Sequence, residues 1–362
     1  MAGRRERFCE CGMPLGAPHY CQANYWAANN GYRAPPPGQY NCWVGYGAPN
    51  GGGYYWPQPR PQPLALVMGG PSPSVYGSGG GGNKRALLCG ITYRKGSHAL
   101  KGSVNDVLRM RAFLIDNLGF HPDSIVVLRD DQNINWKTMP TKANMIEAMK
   151  MLVRGSKAGD SLVFHYSGHG SKMEDNDMDE VDGYDEALCP VDYEDAGKIR
   201  DDVINDVLVR SLPPGTKLHA IIDTCTSGTV LDLPFMCRMN RLNQYGWEDH
   251  VRGKPHYKGT SGGSAICISA CDDNGSSGDT TAFGKSGGAL TISFIEAMKN
   301  QPGMSYGHLL HSMRSIVLET KNQIGLNSYH QSFHMNHPQH YANEPQLSST
   351  EKFDIHSRPV VI

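Results

Sequence analysis

The chain has 362 residues and a formal net charge of −1 at pH 7, because 34 Lys and Arg residues face 35 Asp and Glu residues. This balance gives no reason to expect a nucleic acid or an anionic membrane as a partner. No apolar run approaches the roughly 18 residues that a membrane span needs, and the basic residues 1–7 are not followed by the apolar core of a signal peptide. We therefore expect a soluble monomer in the cytoplasm or the nucleus.

The first 83 residues differ in composition from the rest of the chain. Pro-rich and Gly-rich stretches at 35–37, 56–63 and 79–82 lack periodic apolar spacing, so this segment cannot bury enough surface to offset the entropy lost on ordering. The composition predicts a flexible arm with polyproline stretches that proteins with Pro-binding grooves would recognise.

Ten cysteines occur in the chain, and without a secretory signal we expect free thiols. Four of them, Cys9, Cys11, Cys21 and Cys42, lie in the arm and hint at a zinc module. Structural zinc sites usually use two Cys pairs separated by two to four residues, whereas Cys9 and Cys11 are too close and Cys42 has no near mate. The spacing therefore argues against zinc and favours unpaired thiols in a linker.

From residue 85 onward, apolar runs of strand length alternate with segments of helical periodicity. Strands are predicted at 85–91, 124–128, 160–166, 217–223, 264–270 and 353–356, and helices at 103–118, 141–154, 201–212, 288–299 and 305–321, with a loop over 238–261. The predicted apolar face of the first helix consists of Val104, Val107, Leu108, Leu114, Ile115 and Leu118. This order predicts an α/β fold with a mostly parallel central sheet and helices on both faces.

Two of the predicted strands end in chemically active residues. The run 160–166 leads into Ser167-Gly168-His169-Gly170, and the run 217–223 leads into Thr224-Cys225. Parallel strands place their carboxyl ends at one edge of the sheet, where open α/β folds carry their sites. The sequence thus predicts that His169 and Cys225 form a pair.

Such a pair has the parts needed to attack an amide. Cys225 would supply the thiolate, and His169 would hold the thiol deprotonated and later protonate the leaving amine. Glycines at 168 and 170 let the backbone approach a substrate closely, so the N–H groups of Gly170 and Cys225 are the candidates for an oxyanion hole. The alternative is an inert buried cysteine and a structural histidine.

Four motifs in order resemble the metacaspase family over the stretch from about Lys84 to the C-terminus. They are Tyr166-Ser-Gly-His-Gly-Ser171, Asp182-Gly-Tyr-Asp-Glu186, the run from Asp223 to Pro234 and Lys258-Gly-Thr-Ser-Gly-Gly263. The Pro/Gly-rich arm and the short stretch before residue 264 are similar to the type I subfamily of plants. The resemblance implies a caspase-like three-layer sandwich with a prodomain at 1–83, a p20-like catalytic region at 84–237, a linker at 238–263 and a p10-like region at 264–362.

The resemblance also implies the activity of a calcium-dependent cysteine endopeptidase that cuts protein or peptide substrates after Arg or Lys. His169 and Cys225 match the family's dyad, and their spacing is close to the rule of about 50 residues for caspases. Asp106, Ser167 and Asp223 match its acidic specificity pocket. Independently, a buried carboxylate pair would favour a guanidinium or ammonium group. Because Asp106 lies three residues after Ser103, it is alternatively a helix-capping carboxylate.

The calcium that the resemblance implies has ligand positions at Asp185, Asp201, Asp202 and Asp232. Carboxylates from separate loops suit a hard cation that takes six to eight oxygens, and the alternative is solvated surface acid. The acidic stretch 174–186 lacks the regular pattern of an EF-hand loop.

The family usually has Ser and His beside the nucleophile, where this chain has Thr224 and Thr226. This departure motivates a second reading, a weakly active or inactive caspase-like protein that acts by binding partners through its Pro-rich arm. A thiol redox sensor is a third reading. In the leading reading the chain is a zymogen whose arm is clipped near Lys84 or Arg85.

Overall fold

The structure, a computed structural model of the chain, describes residues 82–94, 98–131, 135–174, 183–224, 229–239, 244–250, 258–271, 279–280, 287–323 and 344–362. The zinc reading of Cys9, Cys11, Cys21 and Cys42 and the flexible-arm prediction for residues 1–81 lie outside the described residues. Among the helices in these ranges, none combines the length and apolar character that a bilayer span requires.

The described strands form one large sheet and two small ones. In chain order they are β1 (Lys84–Gly90), β2 (Ile125–Arg129), β3 (Ser161–Ser167), β4 (Gly170–Glu174), β5 (Tyr184–Leu188), β6 (Ile199–Arg200), β7 (Lys217–Asp223), β8 (Phe235–Met239), β9 (Tyr245–Asp249), β10 (Ser264–Cys271), β11 (Asp279–Thr280), β12 (Gly287–Gly288) and β13 (Glu344–Ser349). The large sheet has the order β2-β1-β3-β7-β10-β13-β8-β9, while β4, β5 and β6 form a second sheet and β11 pairs with β12.

The first five strands of the large sheet are parallel, and the last three pairings are antiparallel. A parallel sheet is covered on both faces, so its strands are apolar throughout. Leu87, Leu88 and Cys89 of β1 are accordingly all fully buried.

Helices cover both faces of this sheet. They are α1 (Ser103–Leu118), α2 (Lys142–Val153), α3 (Tyr193–Ala196), α4 (Asp201–Ile204), which continues as a wider π-type turn over Asn205–Val209, α5 (Ala289–Asn300) and α6 (Tyr306–Gln323). One apolar layer joins α1, α5 and α6 to the sheet, and the opposite layer joins α2, α4 and the π-type turn to it. The three-layer α/β prediction is therefore confirmed.

The first helix differs from its prediction in which side chains face inward. Leu108 is 43% exposed, whereas Met110 and Phe113 are buried together with Val107 and Leu114. These four continue one stripe at spacings of three and four, and Leu108 lies beside that stripe. The prediction that Leu108 belongs to the apolar face was therefore wrong, and Met110 and Phe113 belong to that face instead.

Two predictions at the far edge of the sheet are also wrong. The loop predicted over 238–261 contains the end of β8 and the whole of β9, so the predicted linker contributes to the sheet. The last strand is β13, not 353–356. Its polar residues Gln346, Ser348 and Ser349 are buried between β10 and β8, and a polar strand of this kind does not show the usual apolar pattern.

Lys84 and Arg85, near which clipping was predicted, lie in the first strand of the large sheet. Both residues pair with β3 in the sheet. The Lys84 ammonium donates to the carbonyls of Leu118 at 2.7 Å and Ile362 at 3.0 Å, and the Arg85 guanidinium donates to the Arg154 carbonyl at 2.8 Å. A protease would have to pull β1 out of the sheet to cut there, so neither bond is accessible in the folded protein.

Candidate active site

Three neighbouring parallel strands end together at one edge of the large sheet. Gly90 at the end of β1 pairs with Ser167 at the end of β3, and Ser167 pairs with Asp223 at the end of β7. The Gly168 N–H then donates to the Asp223 carbonyl at 3.4 Å. The two chain segments that carry His169 and Cys225 therefore leave the sheet side by side.

Cys225 and residues 226–228, including Thr226, lie outside the described residues. The preceding residue, Thr224, is buried at the end of β7. The pairing of the Cys225 sulfur with His169 therefore stays a prediction.

The orientation of His169 is fixed by a backbone carbonyl. Its Nε2 atom lies 2.6 Å from the His98 carbonyl oxygen. A carbonyl only accepts hydrogen bonds, so Nε2 carries the proton in this arrangement. In the neutral ring, Nδ1 is then the basic nitrogen that would exchange a proton with a thiol.

The backbone around His169 is held by buried groups from two sides. The Tyr166 hydroxyl donates to the His169 carbonyl at 2.8 Å, and the Cys189 N–H donates to the same oxygen at 3.1 Å. A Cβ atom on Gly168 would lie 2.7 Å from the Tyr166 hydroxyl and 3.0 Å from that of Tyr93. Gly168 is thus required by the tyrosines behind the loop, a reason that the sequence prediction did not include.

Gly170, one of the two predicted oxyanion-hole residues, is partly exposed and begins β4 opposite Leu188 of β5. Its proposed partner, Cys225, is outside the described residues. The oxyanion hole therefore stays a prediction.

The three predicted pocket residues lie together at the same strand ends. Asp106 of α1 is fully buried, and its Oδ2 atom accepts hydrogen bonds from the Ser167 hydroxyl at 2.9 Å and the Gly288 N–H at 2.8 Å. The Asp223 Oδ2 atom accepts from the Thr291 N–H at 2.7 Å. The start of α5 thus contributes backbone donors to both carboxylates.

Asp106 does not cap α1. The N-cap of that helix is Gly102 and no side chain caps it, so the capping-box reading is wrong. Burial raises the pKa of Asp106, and the nearby Asp223 charge raises it further. The Arg109 guanidinium lies 3.7 Å from the Asp106 Oδ1 atom and lowers the pKa of Asp106 only weakly. That oxygen has no hydrogen-bond partner among the described residues.

Gly288 is required beside this pocket. A Cβ atom at this position would collide with the Asp223 carboxylate. Glycine there lets the backbone N–H reach Asp106 while Asp223 lies alongside.

Three of the four predicted calcium ligands form a separate acidic cluster, and the fourth, Asp232, is connected to it through Lys258. Carboxylate oxygens of Asp185, Asp201 and Asp202 lie within 4.8 Å of one another. The Asp201 carboxylate accepts from the N–H groups of Glu186 and Asp202, each at 2.9 Å. Burial, followed by the charges of Asp232 and Glu186, raises the pKa of Asp201 to about 9.

Two basic side chains contact this acidic cluster. The buried Lys258 ammonium forms an ion pair with Asp232 and lies 3.9 Å from Asp202. The Arg200 guanidinium pairs with Oδ2 of Asp185, whereas Oδ1 of Asp185 is buried without a hydrogen-bond partner among the described residues.

The donor set fits a calcium ion. Asp185, Asp201 and Asp232 are 2%, 2% and 4% exposed, so the solvated-acid reading does not describe them. Several buried carboxylates and an unused carboxylate oxygen suit a hard cation that binds oxygen ligands.

Residues 84–234 match the family model described as "Metacaspase, peptidase C14 domain". Metacaspase-3 of Arabidopsis thaliana is 49% identical over 294 residues, which cover 81% of this chain and 78% of that protein. Metacaspase-1 of the same plant is 48% identical, over 78% of this chain and 79% of that protein.

The chain belongs to the metacaspase family. Metacaspase-1 of Yarrowia lipolytica is a more distant relative, 36% identical over 76% of this chain and 63% of that protein. Among solved structures, a protein of Geobacter sulfurreducens matches with a TM-score of 0.49 and 22% identity, over 76% of this chain and 98% of that chain. Metacaspases are peptidases of the C14 family, so this chain is a caspase-like cysteine peptidase and its substrates are proteins or peptides.

Several residues of this metacaspase site were absent from the sequence prediction. His98, Gly288 and Thr291 act through backbone groups, which no side-chain pattern reveals. Lys258 was quoted in a motif, but its ion pair with Asp232 joins residues far apart in the chain. Tyr93 could have been found, because it closely follows the end of β1 at the sheet edge that carries the site.

Proposed function

We propose that this cysteine peptidase cuts polypeptides after Arg or Lys with Cys225 and His169, under the control of calcium. One observation carries the proposal. The buried carboxylate of Asp106 and the partly buried carboxylate of Asp223 lie at the strand ends from which the His169 and Cys225 segments emerge. We further propose that the arm keeps the enzyme latent and binds partner proteins through its Pro-rich stretches.

The proposed reaction begins with transfer of the Cys225 proton to Nδ1 of His169, while Nε2 keeps its proton on the His98 carbonyl. The thiolate attacks the carbonyl carbon of the scissile bond, and backbone N–H groups stabilise the oxyanion. The imidazolium then protonates the leaving amine, and a thioester remains on Cys225. Water hydrolyses the thioester and regenerates the thiol.

Specificity follows from two carboxylates that share one pocket. Ser167 and Gly288 donate to Asp106, and the Arg109 guanidinium, 3.7 Å from its other oxygen, lowers its pKa only weakly. A guanidinium or ammonium group of the substrate would supply a further cation and form charge-assisted hydrogen bonds. An Asp side chain would add a third negative charge, so it would be rejected.

Calcium would be held by Asp185, Asp201, Asp202 and Asp232, whose mutual repulsion its charge would neutralise. The acidic cluster contacts both catalytic segments. Asp185 lies on β5, which pairs with the strand that begins directly after His169. On the other side, Asp232 and Thr229 follow Cys225 closely in the chain, and the Thr229 hydroxyl donates to the Glu186 carboxylate. Ordering this cluster would therefore order both segments.

The test uses purified full-length protein and peptide amides that differ only in the residue before the cut. Arg, Lys, citrulline and Asp peptides are compared with and without calcium, and Cys225→Ala is the control. We expect calcium-dependent turnover of the Arg and Lys peptides and none in the variant. Preference for the Asp peptide, or equal turnover by Cys225→Ala, would overturn the proposal, and turnover unaffected by a chelator would remove its calcium component.

A further inference from the structure

Tyr93 has an unusual backbone conformation close to the candidate active site. Its φ is 51°, in the left-handed region that bulky residues rarely occupy. The carboxylate of Asp130, just after β2, holds this conformation. One oxygen accepts from the Thr92 N–H and hydroxyl, both at 2.8 Å, and the other accepts from the Tyr93 N–H at 2.8 Å.

This conformation brings Tyr93 against both the backbone and the ring of His169. The Tyr93 hydroxyl accepts from the His169 N–H at 3.0 Å and donates to the Cys189 carbonyl at 2.5 Å. The Tyr93 ring lies against the imidazole, with the ring centroids 4.6 Å apart and the planes tilted by 34°. Tyr93 therefore contributes to the position of the loop through its hydroxyl, and its ring, together with the His98 carbonyl, limits the rotation of the imidazole.

A tyrosine that only filled the core would need neither the left-handed backbone nor the contacts with His169. Tyr166, its fully buried neighbour, contacts the same hydroxyl at 3.1 Å from regular strand geometry. Tyr93 instead uses a left-handed backbone that must be held by a carboxylate from the end of a neighbouring strand. Strained residues that persist because their surroundings fix them occur preferentially at functional sites.

We propose that Tyr93, held by Asp130, is a positioning residue that fixes the imidazole of His169 for proton transfer. The inference rests on the proposed function, because it assigns Tyr93 a role only if His169 acts in the reaction. Tyr93 itself does not exchange a proton. It orients a ring whose Nε2 is already directed at the His98 carbonyl, so that Nδ1 has one allowed direction.

The test compares the wild-type enzyme with Tyr93→Phe, which keeps the ring and loses the hydroxyl. Two matched Arg substrates are used, an amide and an activated ester. The amine that leaves the amide must be protonated, whereas the leaving group of the activated ester needs little protonation. A displaced imidazole therefore slows amide hydrolysis more than ester hydrolysis. We expect kcat for the amide to fall by roughly tenfold to a hundredfold with KM little changed, and kcat for the ester to fall much less.

Asp130→Asn is the second variant, and we expect it to change the amide-to-ester ratio in the same direction. Tyr193→Phe is the matched control, since its ring lies 6.1 Å from that of Tyr93 and its hydroxyl donates to Glu194 at 3.5 Å. Urea unfolding of each protein checks that the fold is intact. An amide-to-ester ratio within twofold of wild type in Tyr93→Phe and Asp130→Asn overturns the inference, whereas absent wild-type turnover overturns the proposed function instead.

Discussion

Replacing Asp106 with Asn tests whether the pocket carboxylates select the substrate. The change keeps the size of the side chain and an oxygen that can accept from Ser167 or Gly288, but it removes the buried carboxylate that would be ionised beside a substrate cation. Breaking a buried ion pair costs about 3–5 kcal/mol, and we take the lower end because Asp223 remains. At about 1.4 kcal/mol per factor of ten, kcat/KM for an Arg peptide should fall roughly a hundredfold.

The matched citrulline peptide is the internal control, because citrulline has the shape of arginine without its charge. We expect its kcat/KM to change by no more than about threefold, since only the charge of the substrate interacts with the charge of the pocket. An equal loss on the Arg and citrulline peptides would show that Asp106→Asn damages the site in general, and the charge argument would fail.

The same variant should stabilise the fold at neutral pH. Burial and the Asp223 charge raise the pKa of Asp106 from its usual value of 3.8 to about 8. The folded state therefore binds a proton that the unfolded state has lost, and stability falls as the pH rises through that window. Asp106→Asn removes the group that titrates, so the variant does not lose this stability as the pH rises. Urea unfolding without calcium, in a Cys225→Ala background, should show a gain in the free energy of unfolding that is near zero at pH 4 and grows steadily towards pH 8, by at most about 1.4 kcal/mol per pH unit. A constant difference across this range would contradict the assignment.

Three further outcomes are expected. Lys258→Met removes the internal cation that calcium would displace, so calorimetry should show that calcium binds about tenfold more tightly. The control Lys352→Met changes an exposed lysine and should bind calcium as the wild type does. Unchanged calcium affinity in Lys258→Met would show that the lysine does not compete. Gly288→Ala places a methyl group against the pocket carboxylates, so activity on Arg peptides should be lost. In the control Gly246→Ala the added Cβ atom has no heavy atom of a described residue within 4 Å, so activity should be unchanged. Full activity in Gly288→Ala would contradict the pocket geometry. Trypsin should leave the bond after Lys84 intact in the folded protein, and mass spectrometry that finds this cut early in digestion would contradict the placement of β1.

Much of the fold could be predicted because parallel strands are apolar along their whole length. β1, β3, β7 and β10 all appear in the sequence as short buried runs, and their shared direction places the site at their carboxyl ends. The polar strand β13 and the amphipathic strands β8 and β9 could not be found in this way. The burial of β13 and β8 depends on pairing with strands far away in the chain, whereas β9 is a largely exposed edge strand that pairs with β8.

The candidate site was predicted only where a side chain carries the chemistry. Asp106 and Asp223 could be named from the resemblance to the metacaspase family, but the Gly288 and Thr291 N–H groups that bind them could not. Backbone donors come from chain geometry, and any residue type can supply them. The conformation of Tyr93 likewise depends on Asp130, which follows a different strand.

Covalent labelling tests the central claim most directly, because it reports the nucleophile and the specificity pocket together. Full-length protein is incubated with calcium and a peptide chloromethyl ketone that ends in Arg, and the product is measured by intact mass and peptide mapping. We expect a single adduct on Cys225 that forms slowly in His169→Ala and much more slowly with the corresponding Asp reagent. Labelling of another cysteine, or equal rates with the Arg and Asp reagents, would contradict the proposal that Cys225 and His169 act beside an acidic pocket.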